Sequence, residues 1–446
     1  MKKKVKAKSK MESSSAEKNI GIEAFLTSKY GIGGKLRSIP EDFIVKEVSN
    51  YPPKKEDGRF AIADVTARNW ETNILVRELS DRLHMSRDRV SFAGTKDKRA
   101  QTTRLMSFYN ISTDALSNIK IKDVDIENIY RSDRPIKLGN LIGNRFEIVI
   151  RKIDPDIKSK QIQEIVSVIT KNGGFPNFYG VQRFGIIRPI THIVGKYIVL
   201  DDFEKAVMSY IANPIGGEGE DNYNLRERLQ KTYNFSEALA SYPNELNFEK
   251  AILNNLVVNP KDFVGSLKQL PNNLLTMFVY AYQSYLFNRI LSERIRRDLP
   301  LNKAIVGDVV LPLRNGVIDE NGIVATKNNI KKVNAQVSKG KAFVGSLLFG
   351  YDSEFAKGEM GEIEHKIIDK EKLNPKDFVI PELPNLSSSG SRRPILTPVK
   401  NLEFKLNDDE LNKNNFALTL KFELQKGSYA TSLLREFMKS DDVRNY

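Results

Sequence analysis

The sequence contains no cysteine. Disulfides, thiolate nucleophiles, iron–sulfur clusters and cysteine-built zinc sites are therefore excluded. Histidine is scarce as well. His84, His192 and His365 lie far apart, and none sits in an H-E-x-x-H pattern. That argues against a histidine-built metal site and against a Ser-His-Asp triad, so neither metal nor cofactor is expected. No apolar run approaches the roughly 18 residues needed to span a membrane. The N-terminus lacks the apolar core of a signal peptide. The expectation is a cytoplasmic protein with no membrane partner.

What the chain does hold is positive charge. Lys plus Arg number 70 against 56 Asp plus Glu, a net charge of +14 over 446 residues. The first ten residues, MKKKVKAKSK, contain six lysines and no acid, so the remainder is still +8 (14 − 6). A basic body with a basic arm suits a polyanionic partner, nucleic acid first and an acidic membrane surface second. Charge that serves only solubility is the plainer alternative. Hydrophobic content of 40% supports real cores, and the length suits two or three domains.

Periodicity places the elements. "FIVKEV" (43–48) and "RFAIADVTARN" (59–69) alternate as half-buried strands do. "ETNILVRELSDRLHMS" repeats Ile74, Leu75, Leu79 and Leu83 at helical spacing, with Thr72 or Asn73 as N-cap. "RVSFAG" and "AQTTRLMSFYN" read as two strands with "TKDK" in the turn between them. "RFEIVIRKI" (145–153) is a strand, followed by a helix that opens at Asp-Pro and ends at a Gly pair. The region up to about residue 178 is thus α+β with mixed or antiparallel strands. The middle differs: 200–270 is helix-rich, and 272–298 is the strongest helix in the chain. "SSSGSRRP" (387–394) reads as a linker, "FALTLKFEL" (416–424) as a strand and "YATSLLREFMK" as a helix. A strand-rich start, a different middle and a strand-plus-helix end imply an inserted domain, with the two ends sharing one fold. The expected divisions are a disordered basic arm at 1–18, then 19–195, an insertion at 196–393, and 394–446.

Four stretches carry candidate chemistry. In "SFAGTKDKRA" (91–100) a lone acid, Asp97, sits among Lys96, Lys98 and Arg99. Cations near a carboxylate favour its ionised form, which can serve as nucleophile or base. A solvated hairpin tip is the bland reading. "FPNFYGVQRFG" (175–185) packs Asn177, four aromatics, Gln182 and Arg183 into eleven residues. Aromatic faces stack on unstacked bases, and amides or guanidiniums read their edges. Phe175 and Phe184 read as core, whereas Tyr179 suits either role. Arg37 in "KLRSIPEDF" could pair with an acid, though alone it reads as a surface arginine. In "FELQKGSYATSLLRE" the Gly427-Ser428 turn before a helix could hold a phosphate.

Together with "NWETN", "GNRFEIVIR", "YAYQSYLFNRILSER" and "GSRRPILTP", these stretches stand in one order. The sequence resembles the TruD family of tRNA pseudouridine synthases, in its archaeal branch, over nearly the whole chain after about residue 30. The resemblance implies an α+β fold: a pseudouridine synthase catalytic domain with a mixed or antiparallel sheet, interrupted by an inserted α+β TRUD domain. It implies that Asp97 is the catalytic aspartate and that Asn177 and Tyr179 line the substrate pocket, Tyr179 stacking on the target uracil. Tyr429 is the aromatic of the C-terminal block. Arg37 stands where bacterial relatives have lysine and is expected to bind substrate or pair with Asp97. Lys96 and Lys98 are expected to face RNA phosphates, since adjacent side chains in an extended segment point to opposite faces, and Arg99 is expected to contact phosphates as well.

The activity so implied is isomerisation of uridine to pseudouridine in tRNA, at position 13 by family analogy. The target nucleotide must be flipped out. Asp97 then either attacks C1′ or takes a proton from C2′, and the sequence leaves both routes open. The expected partner is tRNA, and the expected state a monomer. An RNA-binding or RNA-chaperone protein on the same scaffold is the alternative. A metal-dependent nuclease is disfavoured by the lack of clustered acids or histidines.

Overall fold

The computed structural model describes residues 13–28, 30–314 and 316–446. They fall into two compact units. One, the sheet unit, comprises 30–175, Thr397–Ser440 and Asn445–Tyr446. The other, the helical unit, comprises 13–28, Pro176–Leu396 and Asp441–Arg444. An α+β fold is what the sequence implied. The parting lies at 175/176 and 396/397. The expected 195/196 falls inside the helix Thr191–Val199.

The sheet unit is built on eight strands: β1 (Phe43–Ser49), β2 (Phe60–Arg68), β3 (Val90–Phe92), β4 (Gln101–Tyr109), β5 (Val124–Ser132), β6 (Leu141–Ile153), β7 (Lys400–Asp408) and β8 (Phe416–Gln425). Their order is β7-β8-β6-β1-β4-β2-β5, with β3 also on β4. β1 and β4 run parallel, and the neighbouring pairs run antiparallel, so the sheet is mixed. Alternation builds it. In β8, Leu418, Leu420, Phe422 and Leu424 are buried while Lys421 between them is exposed. Phe422 stacks on Phe146 of β6, ring centroids 5.1 Å apart. The helices Ser159–Lys171 and Ala430–Met438 add buried stripes, Ile162, Ile165 and Ile169 in the first and Leu433, Leu434 and Phe437 in the second. The Thr72–Arg82 helix buries Leu75, Val76 and Leu79 against alanines of β2 and against Met106 and Phe108 of β4. Its cap is Glu71, not Thr72 or Asn73: the Glu71 carboxylate accepts the Ile74 N–H at 2.9 Å.

The helical unit gathers around the helix Asn272–Arg296. Its second half is buried almost all round, polar residues included. Arg294 donates to both Asp308 oxygens, at 2.6 and 2.9 Å. The helix Thr191–Val199 approaches it so closely that a Cβ on Gly195 would lie 1.9 Å from the Phe278 carbonyl. A small sheet accompanies the helices, and here the linker reading of 387–394 fails. Ser391–Pro394 is a strand, paired antiparallel with Gly345–Leu348. The disordered-arm reading is corrected in part too. Residues 1–12 lie outside the described residues, but Ser15–Asn19 is a helix capped by Ser14, with Glu17 buried. Among the described residues no helix is long and apolar enough to cross a membrane.

One buried group gives this unit a pH-dependent stability. His192 stacks on Tyr285 at 5.0 Å and meets Phe184 edge-on at 5.2 Å. Burial pushes its pKa from 6.5 down to about 4. The unfolded chain therefore binds a proton between those values that the folded one refuses. Stability is intact above pH 6.5 and falls as pH drops toward 4, by about 3 kcal/mol for this residue. In denaturant titrations at pH 7 and 4.5, the His192→Phe chain is expected to lose measurably less stability than the wild type. Equal losses would contradict the assignment.

Candidate active site

The residues singled out in the sequence form two groups, one in each unit. In the sheet unit, β3 and β4 are joined by the loop 93–100, which carries Asp97. The Asp97 side chain is 53% exposed, and its Oδ2 lies 3.9 Å from Arg37 Nη2. At that distance the pair is electrostatic rather than a made hydrogen bond. Among the described residues Asp97 accepts no hydrogen bond, so both oxygens stay open to an incoming group.

Arg37 is held more tightly. Its backbone is left-handed, φ 54°, a costly conformation for a residue with a side chain. Its guanidinium lies 4.1 Å over the ring of buried Phe43 and donates to the Tyr446 carbonyl at 3.3 Å. Burial pushes the Arg37 pKa down, Asp97 opposes that shift and Arg99 adds to it. The turn that follows, Pro40–Asp42, is locked by a buried network. Asp42 accepts the Ile39 N–H and binds Arg151, which also reaches Asp409.

Lys96 departs from expectation. It was to face phosphates, yet its side chain is 5% exposed and its Nζ lies 2.6 Å from Oε2 of Glu47, itself 1% exposed, on β1. Burial pushes its pKa down and Glu47 opposes that. Its backbone N–H is also tied, to the Thr72 hydroxyl at 3.1 Å. The same hydroxyl accepts from Arg104 at 2.8 Å. Arg104 is fully buried, with its pKa lowered by desolvation to about 10. The residue before Asp97 thus anchors the loop from two sides over a buried cation. Lys98 and Arg99 remain exposed on the same loop, Arg99 lying within 3.5 Å of the Arg37 carbonyl.

In the helical unit, Asn177 and Tyr179 are set in a tight polar cluster. The Asn177 amide donates to the Pro394 carbonyl and accepts from Arg393 Nη2, both at 2.7 Å. Arg393 lies 4.2 Å over the Tyr179 ring, and Arg183 5.4 Å from its centroid. The ring meets Phe287 edge-on at 5.6 Å and is 7% exposed. Asn288 clamps the Tyr179 backbone, accepting its N–H at 2.9 Å and donating to its carbonyl at 3.0 Å.

A half-open carboxylate on a tied loop, beside a fixed guanidinium, belongs to acid–base or nucleophilic chemistry on a polar substrate. Comparison with known proteins gives the family. The family profile for tRNA pseudouridine synthase D (TruD) matches residues 19–437. The chain belongs to the TruD family. It is 44% identical to the probable tRNA pseudouridine synthase D of Methanococcoides burtonii over 432 residues, covering 96% of this chain and 98% of that one. The Methanosarcina mazei relative of the same name is 42% identical, covering 97% of this chain and 100% of that one. A crystal structure of a Methanosarcina mazei TruD protein superposes with a TM-score of 0.92 at 41% identity, over 97% of this chain and 100% of that one.

Set against the TruD blocks, the structure adds residues that sequence reasoning passed over. Arg393 and Asn288 were present in the quoted GSRRPILTP and YLFNR blocks but were given no role. Their contacts to 177 and 179 span more than a hundred residues, a pairing that no local pattern reveals. Tyr429 is the N-cap residue of the helix Ala430–Met438 and is half-buried, following the positive-φ Gly427.

Proposed function

We propose that this protein converts one uridine of tRNA, at position 13, to pseudouridine, with Asp97 acting on the ribose of the flipped-out nucleotide. The observation that carries the reading is the Asp97 carboxylate: exposed, accepting no hydrogen bond among the described residues, 3.9 Å from the Arg37 guanidinium, in the G-T-K-D block of a TruD chain. The N1–C1′ bond breaks, the base turns, and a C5–C1′ bond forms. N1 gains the proton that C5 gives up, so the step is an isomerisation. Attack on C1′ and removal of the C2′ proton both use the same carboxylate. Arg37 aims it from a position that Phe43 and the Asp42–Arg151 network hold fixed.

Asn177 and Tyr179 receive the base. Because the Tyr179 ring is so little exposed, a base stacks on it only if Arg393, 4.2 Å over it, gives way. Tyr429 contacts the substrate, and Lys98 and Arg99 take RNA phosphates; Lys96, paired with Glu47, does not. The protein works as a monomer in the cytoplasm, without metal or cofactor. The test is a pair of tRNA transcripts incubated with the full chain. The unmodified transcript is expected to gain one pseudouridine, at position 13, and a transcript with cytidine at 13 none. Equal pseudouridine in both would overturn the assignment.

A further inference from the structure

The helical unit holds a cavity of about 250 Å³, open to solvent, beside the Tyr179 ring. Tyr179, Arg183, Tyr280, Ser284 and the Ser388–Ser391 loop line it, and no carboxylate does. Arg183 is steadied by its Nε, which donates to the Ser284 hydroxyl at 3.2 Å. Its two terminal nitrogens have no hydrogen-bond partner among the described residues. Tyr280 is 45% exposed. The loop opposite is rigid. Gln283 donates to Ser388 Oγ at 2.9 Å and to the Phe349 carbonyl at 2.7 Å. Gly390 takes φ 83°, where a Cβ would lie 2.6 Å from the Leu348 carbonyl. A fixed pocket with spare guanidinium donors, hydroxyls, an open aromatic face and no acid selects an anion that carries a ring.

We infer that this cavity seats the nucleotide adjoining the target uridine, with its phosphate on Arg183 and its base against Tyr280. The inference rests on the reading that the substrate is RNA. The cavity's volume suits one nucleotide and not a helix. Tyr179 and Tyr280 border the same space, so the residue on the second ring neighbours the one on the first. Extruding one nucleotide unstacks its neighbour, and a second aromatic platform with a phosphate grip offsets that loss.

The test uses full-length Arg183→Gln and Tyr280→Ala chains with a tRNA transcript, after confirming wild-type melting temperatures. Each variant is expected to raise KM and the dissociation constant about tenfold, with a smaller change in kcat. Arg183→Gln should also flatten the slope of log affinity against log salt by about 0.7 to 0.9, one phosphate's worth. Tyr280→Ala should leave the slope unchanged, because a stacked base carries no charge. Wild-type affinity and slope in both variants would overturn the inference while leaving the synthase assignment intact. A wild-type chain that makes no pseudouridine would overturn the assignment, and the binding measurements would still decide whether RNA occupies the cavity. Since Tyr280 is largely exposed, its variant keeps the inference testable even where Arg183→Gln disturbs the fold.

Discussion

Asp97→Asn is expected to fold and bind tRNA as the wild type does, and to form pseudouridine at least about a thousandfold more slowly. The structure explains why the fold should survive. The Asp97 side chain is half in solvent, accepts no hydrogen bond among the described residues and meets Arg37 only at 3.9 Å. An exposed pair of that kind contributes little to stability. The amide keeps the shape and loses the charge, so it can neither attack C1′ nor take a proton from C2′. Arg37 also gains nothing that would hold tRNA less well. Thermal melting and tRNA binding check the first half of the expectation and single-turnover kinetics the second. Weak binding together with slow turnover would move Asp97 from chemistry to recognition.

The second large effect is structural. Lys96→Met is expected to destabilise the sheet unit by about 3–5 kcal/mol, because it strands the Glu47 carboxylate, 1% exposed, without its counter-ion. Adding Glu47→Leu should recover most of that loss, since an apolar pair of similar volume avoids burying a lone charge. Denaturant titration of the two chains reads both numbers. Binding gives a second, opposite reading. If the ammonium serves Glu47 and not RNA, the salt slope of tRNA binding is unchanged in the folded double variant. A slope lower by about 0.7 to 0.9 would put Lys96 on a phosphate after all. A loss of under about 1 kcal/mol in the single variant would contradict the anchoring role.

Much of the fold was legible because it repeats locally. Alternation marked β1, β2, β4, β6 and β8, and helical spacing marked Thr72–Arg82 and Asn272–Arg296. Candidate chemistry was readable only where residues stand together in sequence, as Asp97 does with its cations. What failed was non-local. Lys96, expected to face phosphates, is held instead by Glu47, 49 residues upstream on β1. Thr72 reads as an N-cap by type, yet Glu71 takes that task and frees its hydroxyl for Lys96 and Arg104. The Ser/Gly/Arg stretch reads as a linker by composition, yet its end is a strand, because the strand Ala342–Leu348 offers an open edge. Arg393 and Asn288 could be placed beside Asn177 and Tyr179 only by the tertiary structure.

The claim on which the rest depends is that one side-chain charge, at residue 97, breaks the sugar–base bond. The most direct measurement counts pseudouridine at position 13 by nucleoside analysis of tRNA held fully bound by wild-type or Asp97→Asn protein. The account predicts one per tRNA from the wild type once its reaction is complete and essentially none from the variant in that same time. Stoichiometric product from the fully bound variant within that time would contradict it.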